Sequence, residues 1–110
     1  MTILDMNVFN NLKDSTGADF ILELLSAFFE DAENQMEQMR TSMATQDVET
    51  FRRAAHSLKS NAATFGAMEL SSLARELETM ARNENLEAGN RLEDLKDAFE
   101  KVKIMLNELR

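Results

Sequence analysis

The chain has a single histidine, His56, and three residue types near it bear on what an imidazole can do. Lys59 follows by three positions, Ser60 by four, and the pair Arg52-Arg53 precedes it. A neutral imidazole is a nucleophile near physiological pH. Cations beside it favour an incoming anionic group, and small neighbours leave that group room. Helix geometry turns successive residues by about 100°. With His56 at zero on such a wheel, Phe51, Ala54, Leu58, Ala62 and Phe65 fall near the opposite pole, while Arg52, Arg53, Lys59, Ser60 and Ala63 share the histidine's side. The spacing therefore predicts a helix that buries one apolar stripe and presents the imidazole to water. Other chemistries lack their residues. One histidine makes neither HExxH nor a multi-histidine metal site, and no cysteine supplies thiolate or cysteine-zinc chemistry. No P-loop, nucleophile elbow or glycine-rich dinucleotide loop occurs, so autonomous kinase activity is not expected. The acidic pairs Glu30-Asp31 and Glu76/Glu78 read as solvated faces.

The elements that would carry this histidine are helices. The 110 residues hold no proline and three glycines, with aliphatic, methionine, alanine and charged residues dominant. One domain over 1–110 suits the length. Five helical segments are predicted. The first runs from Asp5, its N-cap, to Lys13, burying Phe9 and Leu12, with 14–17 as a turn. The second runs from Asp19 to Ala44, its core stripe containing Ala18, Ile21, Leu25, Phe28, Phe29, Ala32, Met36, Met39 and Met43. The third begins after the cap Asp47, carries His56 and ends near Gly66, a structural turn residue. The fourth covers Met68 to Asn83. The fifth follows the cap Asn85 and includes Gly89 in its first turns, with Ala88, Leu92, Leu95, Phe99, Val102, Leu106 and Leu109 on its apolar side. Short loops force antiparallel neighbours. The expected fold is all-α: an antiparallel up-down-up-down four-helix bundle with a short extra N-terminal helix across one end.

A net charge of −8 disfavours nucleic acid and anionic membrane as partners. Signal-peptide features and bilayer-spanning length are both lacking, so a cytoplasmic protein is expected.

The string His56-Ser57-Leu58-Lys59-Ser60-Asn61-Ala62-Ala63-Thr64-Phe65-Gly66-Ala67 resembles the signature of histidine-containing phosphotransfer (HPt) domains, His-x-Leu-Lys-Gly-Ser-x-x-x-x-Gly-Ala. Arg52-Arg53-Ala54-Ala55 and Phe28-Phe29-Glu30-Asp31-Ala32 are also similar to the family, and the likeness in pattern runs from about residue 5 to 109. Ser60 stands where the family has glycine, and Asn61 where it has a smaller residue. The resemblance implies a phosphorelay carrier. His56 would take a phosphoryl group from an aspartyl phosphate on a response-regulator receiver domain and pass it to another. Nε2 would be the reacting atom, with Lys59 offsetting charge on the equatorial oxygens and Ser60 free to hydrogen-bond the site. A hybrid sensor kinase is a further expected partner. No cofactor is expected in this chain; Mg²⁺ belongs to the receiver. A monomer is expected, because the chain has enough helices to close a bundle alone. If the second and third helices fold back near Thr45-Gln46, His56 lies level with about Gln35, flanked by Phe28 and Asp31. Those three residues, with Arg52, Arg53 and Ala63, form the expected docking face. Phe20 and Leu24 either pack under the first helix, the preferred reading, or meet the receiver. The alternative function is a non-catalytic helical module that docks a receiver or kinase without phosphorylation.

Overall fold

A computed structural model describes residues 2–109; Met1 and Arg110, the ends of the expected domain, lie outside the described residues. Within them the protein is all-helical, with five helices and no strand. α1 spans Met6–Thr16, α2 Ala18–Thr45, α3 Val48–Thr64, α4 Met68–Arg82 and α5 Arg91–Glu108. At about 1.5 Å per residue, the 28 residues of α2 account for the molecule's 41 Å long axis. α3 packs on α2 and α4, and α5 on α4 and α2; α1 rests on α2 and α3.

Local chemistry sets the boundaries. Asp5 caps α1, its carboxylate accepting from the amides of Asn7 and Val8. Asp47 caps α3 through the Thr50 amide and hydroxyl. α1 continues through the segment read as a turn: the Thr16 hydroxyl donates to the Leu12 carbonyl, and the helix stops at Gly17. The start of α5 is a second correction. Asn85 does not cap it; its side chain accepts from the Glu87 amide within the connection, and α5 begins after Asn90. Leu86 and Ala88 are buried from that connection, so their apolar spacing imitated a helical turn, and Gly89 precedes the helix.

The core is continuous from α1 to α5. All five residues placed opposite His56 on the wheel are buried, Phe65 at 7% exposure and the rest at 2% or less. Phe28 stacks on Phe65 at 4.6 Å between centroids and meets Phe99 edge-on at 6.4 Å. Ala18, assigned to the α2 stripe, is exposed, as is Leu109 at the end of α5.

Gly66 turns the chain between α3 and α4 with φ of 82°, where a side chain is disfavoured. Its carbonyl accepts from the Asp5 amide at 2.7 Å, and a Cβ there would sit 2.6 Å from the Asp5 carbonyl oxygen. One close contact thus ends α3 and pins the start of α1 to the α3–α4 corner.

Candidate functional site

α3 places His56 outward, its side chain 57% exposed. The small residue Ser60 is exposed one turn on, and Ala63 is half-buried, so the ring edge stays open. Arg52 and Arg53 pair with Glu49 from the preceding turn, Arg52 at 2.6 Å and Arg53 at 3.4 Å.

The other edge of the ring is held by a residue that the sequence reading put in solvent. Glu78 of α4 is 2% exposed. Its Oε2 accepts from His56 Nδ1 at 2.7 Å, and its Oε1 accepts from Lys59 Nζ at 2.6 Å. Arg82 Nη2 lies 3.5 Å from Oε2. The Ser71 hydroxyl donates to the Lys59 carbonyl at 2.9 Å, a second polar tie between α3 and α4. Burial pushes the Glu78 carboxyl up, but the hydrogen bonds and charges of Lys59 and His56 outweigh it and hold the group below the ordinary carboxylate range. An ionised carboxylate only accepts, so Nδ1 carries the hydrogen facing it. In the neutral ring the lone pair is then on Nε2, on the open side.

Glu78 was legible by a route the sequence reading applied only to α2. His56 and Glu78 are equidistant along the chain from Ala67, so folding α3 back on α4 at Gly66-Ala67 sets them level. Glu76 remains exposed, as expected.

On the α2 side the expected register holds in outline, with one correction. Asn61 Nδ2 donates to Asp31 Oδ2 at 2.6 Å, and Gln35 Nε2 to Asp31 Oδ1 at 3.3 Å. The Asn61–Asp31 bond sets α3 against α2 so that His56 is level with the Gln35 turn. Asp31 and Gln35 are half-buried and reachable. Phe28 is not: at 3% exposure it is enclosed by Phe65 and Phe99 and presents no docking surface. Phe20 corrects the preferred packing reading, standing 51% exposed, whereas Leu24 packs partly against the core. Among the described residues no cluster of three metal-ligating side chains forms and no helix is long and apolar enough to cross a membrane.

The helical scaffold thus displays one braced imidazole, with Nδ1 held by Glu78 and the ring's other edge open. A family model described as the Hpt domain matches residues 23–110, and the chain belongs to that family. As such it is a histidine phosphotransfer protein of a two-component phosphorelay. Its structure is similar to the crystal structure of histidine-containing phosphotransfer protein B from Pseudomonas aeruginosa PAO1, with a TM-score of 0.91 at 27% identity, covering 96% of this chain and 92% of that one. It also shares its fold with the HPT domain of a sensor hybrid histidine kinase from Shewanella, with a TM-score of 0.77 at 17% identity, covering 97% and 92%. No curated protein sequence gave a significant match.

Proposed function

We propose that His56 is the phosphoryl-accepting residue. It takes the group from an aspartyl phosphate of one response-regulator receiver domain and gives it to the aspartate of another. The supporting observation is the opposed pair of ring environments: Nδ1 tied to buried Glu78, Nε2 facing solvent beside small side chains. The Nε2 lone pair attacks phosphorus, the bond to the aspartyl oxygen breaks, and the aspartate leaves as a carboxylate. The Nδ1 hydrogen stays where it is. The ring gains positive character as the N–P bond forms, and the Glu78 carboxylate at 2.7 Å offsets it without moving. Phosphoryl transfer of this kind is mainly positioning and charge stabilisation. Lys59, bonded to Glu78 and still partly exposed, is a candidate to meet the equatorial oxygens; Ser60 and Ala63 are assigned to access. Mg²⁺ belongs to the receiver in this scheme. The chain acts as a carrier with no kinase activity of its own.

The same reading takes the fold as one domain, an antiparallel up-down-up-down bundle of α2 to α5 with α1 across one end, monomeric and cytoplasmic. Support for the antiparallel arrangement is that Lys103 reaches Glu33, while Met43 shares a surface groove with Leu92. Receiver domains and a hybrid sensor kinase are the partners.

The test charges a receiver domain with a small phosphodonor and adds this protein. Acid-labile, base-stable label is expected on the wild type and none on His56→Gln. Absence of label on the wild type, or equal label on both, overturns the assignment. Ser60→Trp is expected to block transfer with helicity unchanged.

A further inference from the structure

Charge is distributed unevenly around His56. α2 carries one cation, Arg40, against six carboxylates. α3 carries Arg52, Arg53 and Lys59 against Glu49 alone. On α4, Ser71, Arg75, Glu78 and Arg82 recur at spacings of four, three and four, so they share one stripe. That stripe borders α3, because Ser71 bonds the Lys59 carbonyl and Glu78 bonds His56 and Lys59. Arg75 and Arg82 stand exposed along it; the stripe's own carboxylate, Glu78, is buried and shared by His56, Lys59 and Arg82, while the exposed Glu76 lies on the neighbouring face of α4.

The flank on α2 has a different character. Ala27, Asp31 and Gln35 share the stripe of α2 that borders α3, as the Asp31–Asn61 bond shows, and Leu24 and Phe20 continue that stripe past the end of α3. Asp31 is its only charged member and is half-buried in hydrogen bonds, while Phe20 is half-exposed. His56 therefore stands between a flank whose one charge, Asp31, is taken up in hydrogen bonds and a flank that exposes cations, on a protein whose net charge is −8.

We propose that this asymmetry orients the docked partner: the exposed Arg75 and Arg82 of α4 engage a carboxylate-bearing edge of the receiver domain, and the α2 flank takes its uncharged surface. The proposal rests on the phosphorelay reading for the kind of partner only. The field of this chain's net charge of −8 is screened beyond about 10 Å at 0.1 M salt, so local charge decides the encounter inside that range. A one-sided cationic flank then accelerates association and selects one rotation of the partner over the others.

The experiment measures association of receiver domains with the His56→Gln chain, which docks without accepting phosphate, across a salt series. At low salt, Arg75→Glu is expected to slow association about tenfold, with the difference vanishing towards 0.5 M. Lys101→Glu on α5 makes the same change in net charge away from the site and is expected to leave the rate within about twofold. Arg75→Ala should fall between wild type and Arg75→Glu. Equal slowing by Arg75→Glu and Lys101→Glu, a salt-independent effect, or no effect of Arg75→Glu overturns the proposal, as does the absence of any receiver binding. If receivers bind with the expected charge pattern but the wild type exchanges no phosphate with them, the carrier reading fails and the oriented docking stands.

Discussion

Two seams of this molecule are built on opposite principles. Between α2 and α5, Phe28 and Phe29 meet Phe99 edge-on at 6.4 and 6.2 Å, and Lys103 closes the edge over Phe29 while reaching Glu33. Between α3 and α4, a carboxylate is buried and shared by an imidazole and an ammonium. Apolar packing tolerates exchange of shape so long as volume is kept. A buried charge costs stability unless its partners are in place, and replacing such a set by apolar groups is often neutral or stabilising. Glu78 therefore makes poor sense as a fold stabiliser alone and good sense as a positioning residue. The first seam is closed by aromatic packing; the second is part of the same apolar core and also holds a ring atom.

That contrast can be broken by exchange of roles. Phe99→Ala is expected to destabilise by about 3–5 kcal/mol in chemical denaturation. The molecules that remain folded should still transfer phosphate at an unchanged rate at saturating receiver. A large loss of transfer in that folded fraction would mean that the aromatic seam also positions the site. Gly66→Ala forces a side chain into a positive-φ turn and against the Asp5 carbonyl, so a loss of about 2 kcal/mol is expected. Thermal unfolding checks it, and an unchanged midpoint would show that the α1–α3 contact is dispensable.

Glu78→Gln inverts the balance. The amide still offers an oxygen to Nδ1, but without charge. Transfer is expected to slow about tenfold in single-turnover assays, with stability changed by about 1 kcal/mol at most. The reverse pattern, a large loss of stability with normal transfer, would make Glu78 structural. pH sharpens the same point. Glu78 is held below its ordinary value, so its contribution to stability is complete above the ordinary carboxylate range. It disappears as pH falls through the folded-state value. Acid denaturation of Glu78→Gln should lack that component. Asn61→Ala, which removes one hydrogen bond across α2 and α3, is expected to cost about 1 kcal/mol.

The apolar periodicity of α2 to α4 was legible because each helix buries one stripe, and the outward position of His56 followed from the same wheel. Three things were missed. Phe28 was given two faces, core and docking; α2 packs on both α3 and α5, so its buried arc is wide enough to enclose Phe28 and Phe29 together. The start of α5 was set too early because Leu86 and Ala88 are buried from a loop whose apolar residues continue the helical spacing. Glu78 was read as solvated because acidic side chains are rarely buried; only the level partners His56 and Lys59 make its burial tolerable, and such pairing between helices has no local signature.

With Nδ1 held by Glu78, Nε2 is the ring nitrogen expected to react. Phosphorus NMR of the protein after transfer from a charged receiver distinguishes phosphate on the two nitrogens, and nitrogen shifts of the same ring report where its hydrogen resides. The expected result is a single phosphohistidine on Nε2 of His56, with the Nδ1 hydrogen retained towards Glu78. Phosphate on Nδ1, or on any residue other than His56, would contradict it.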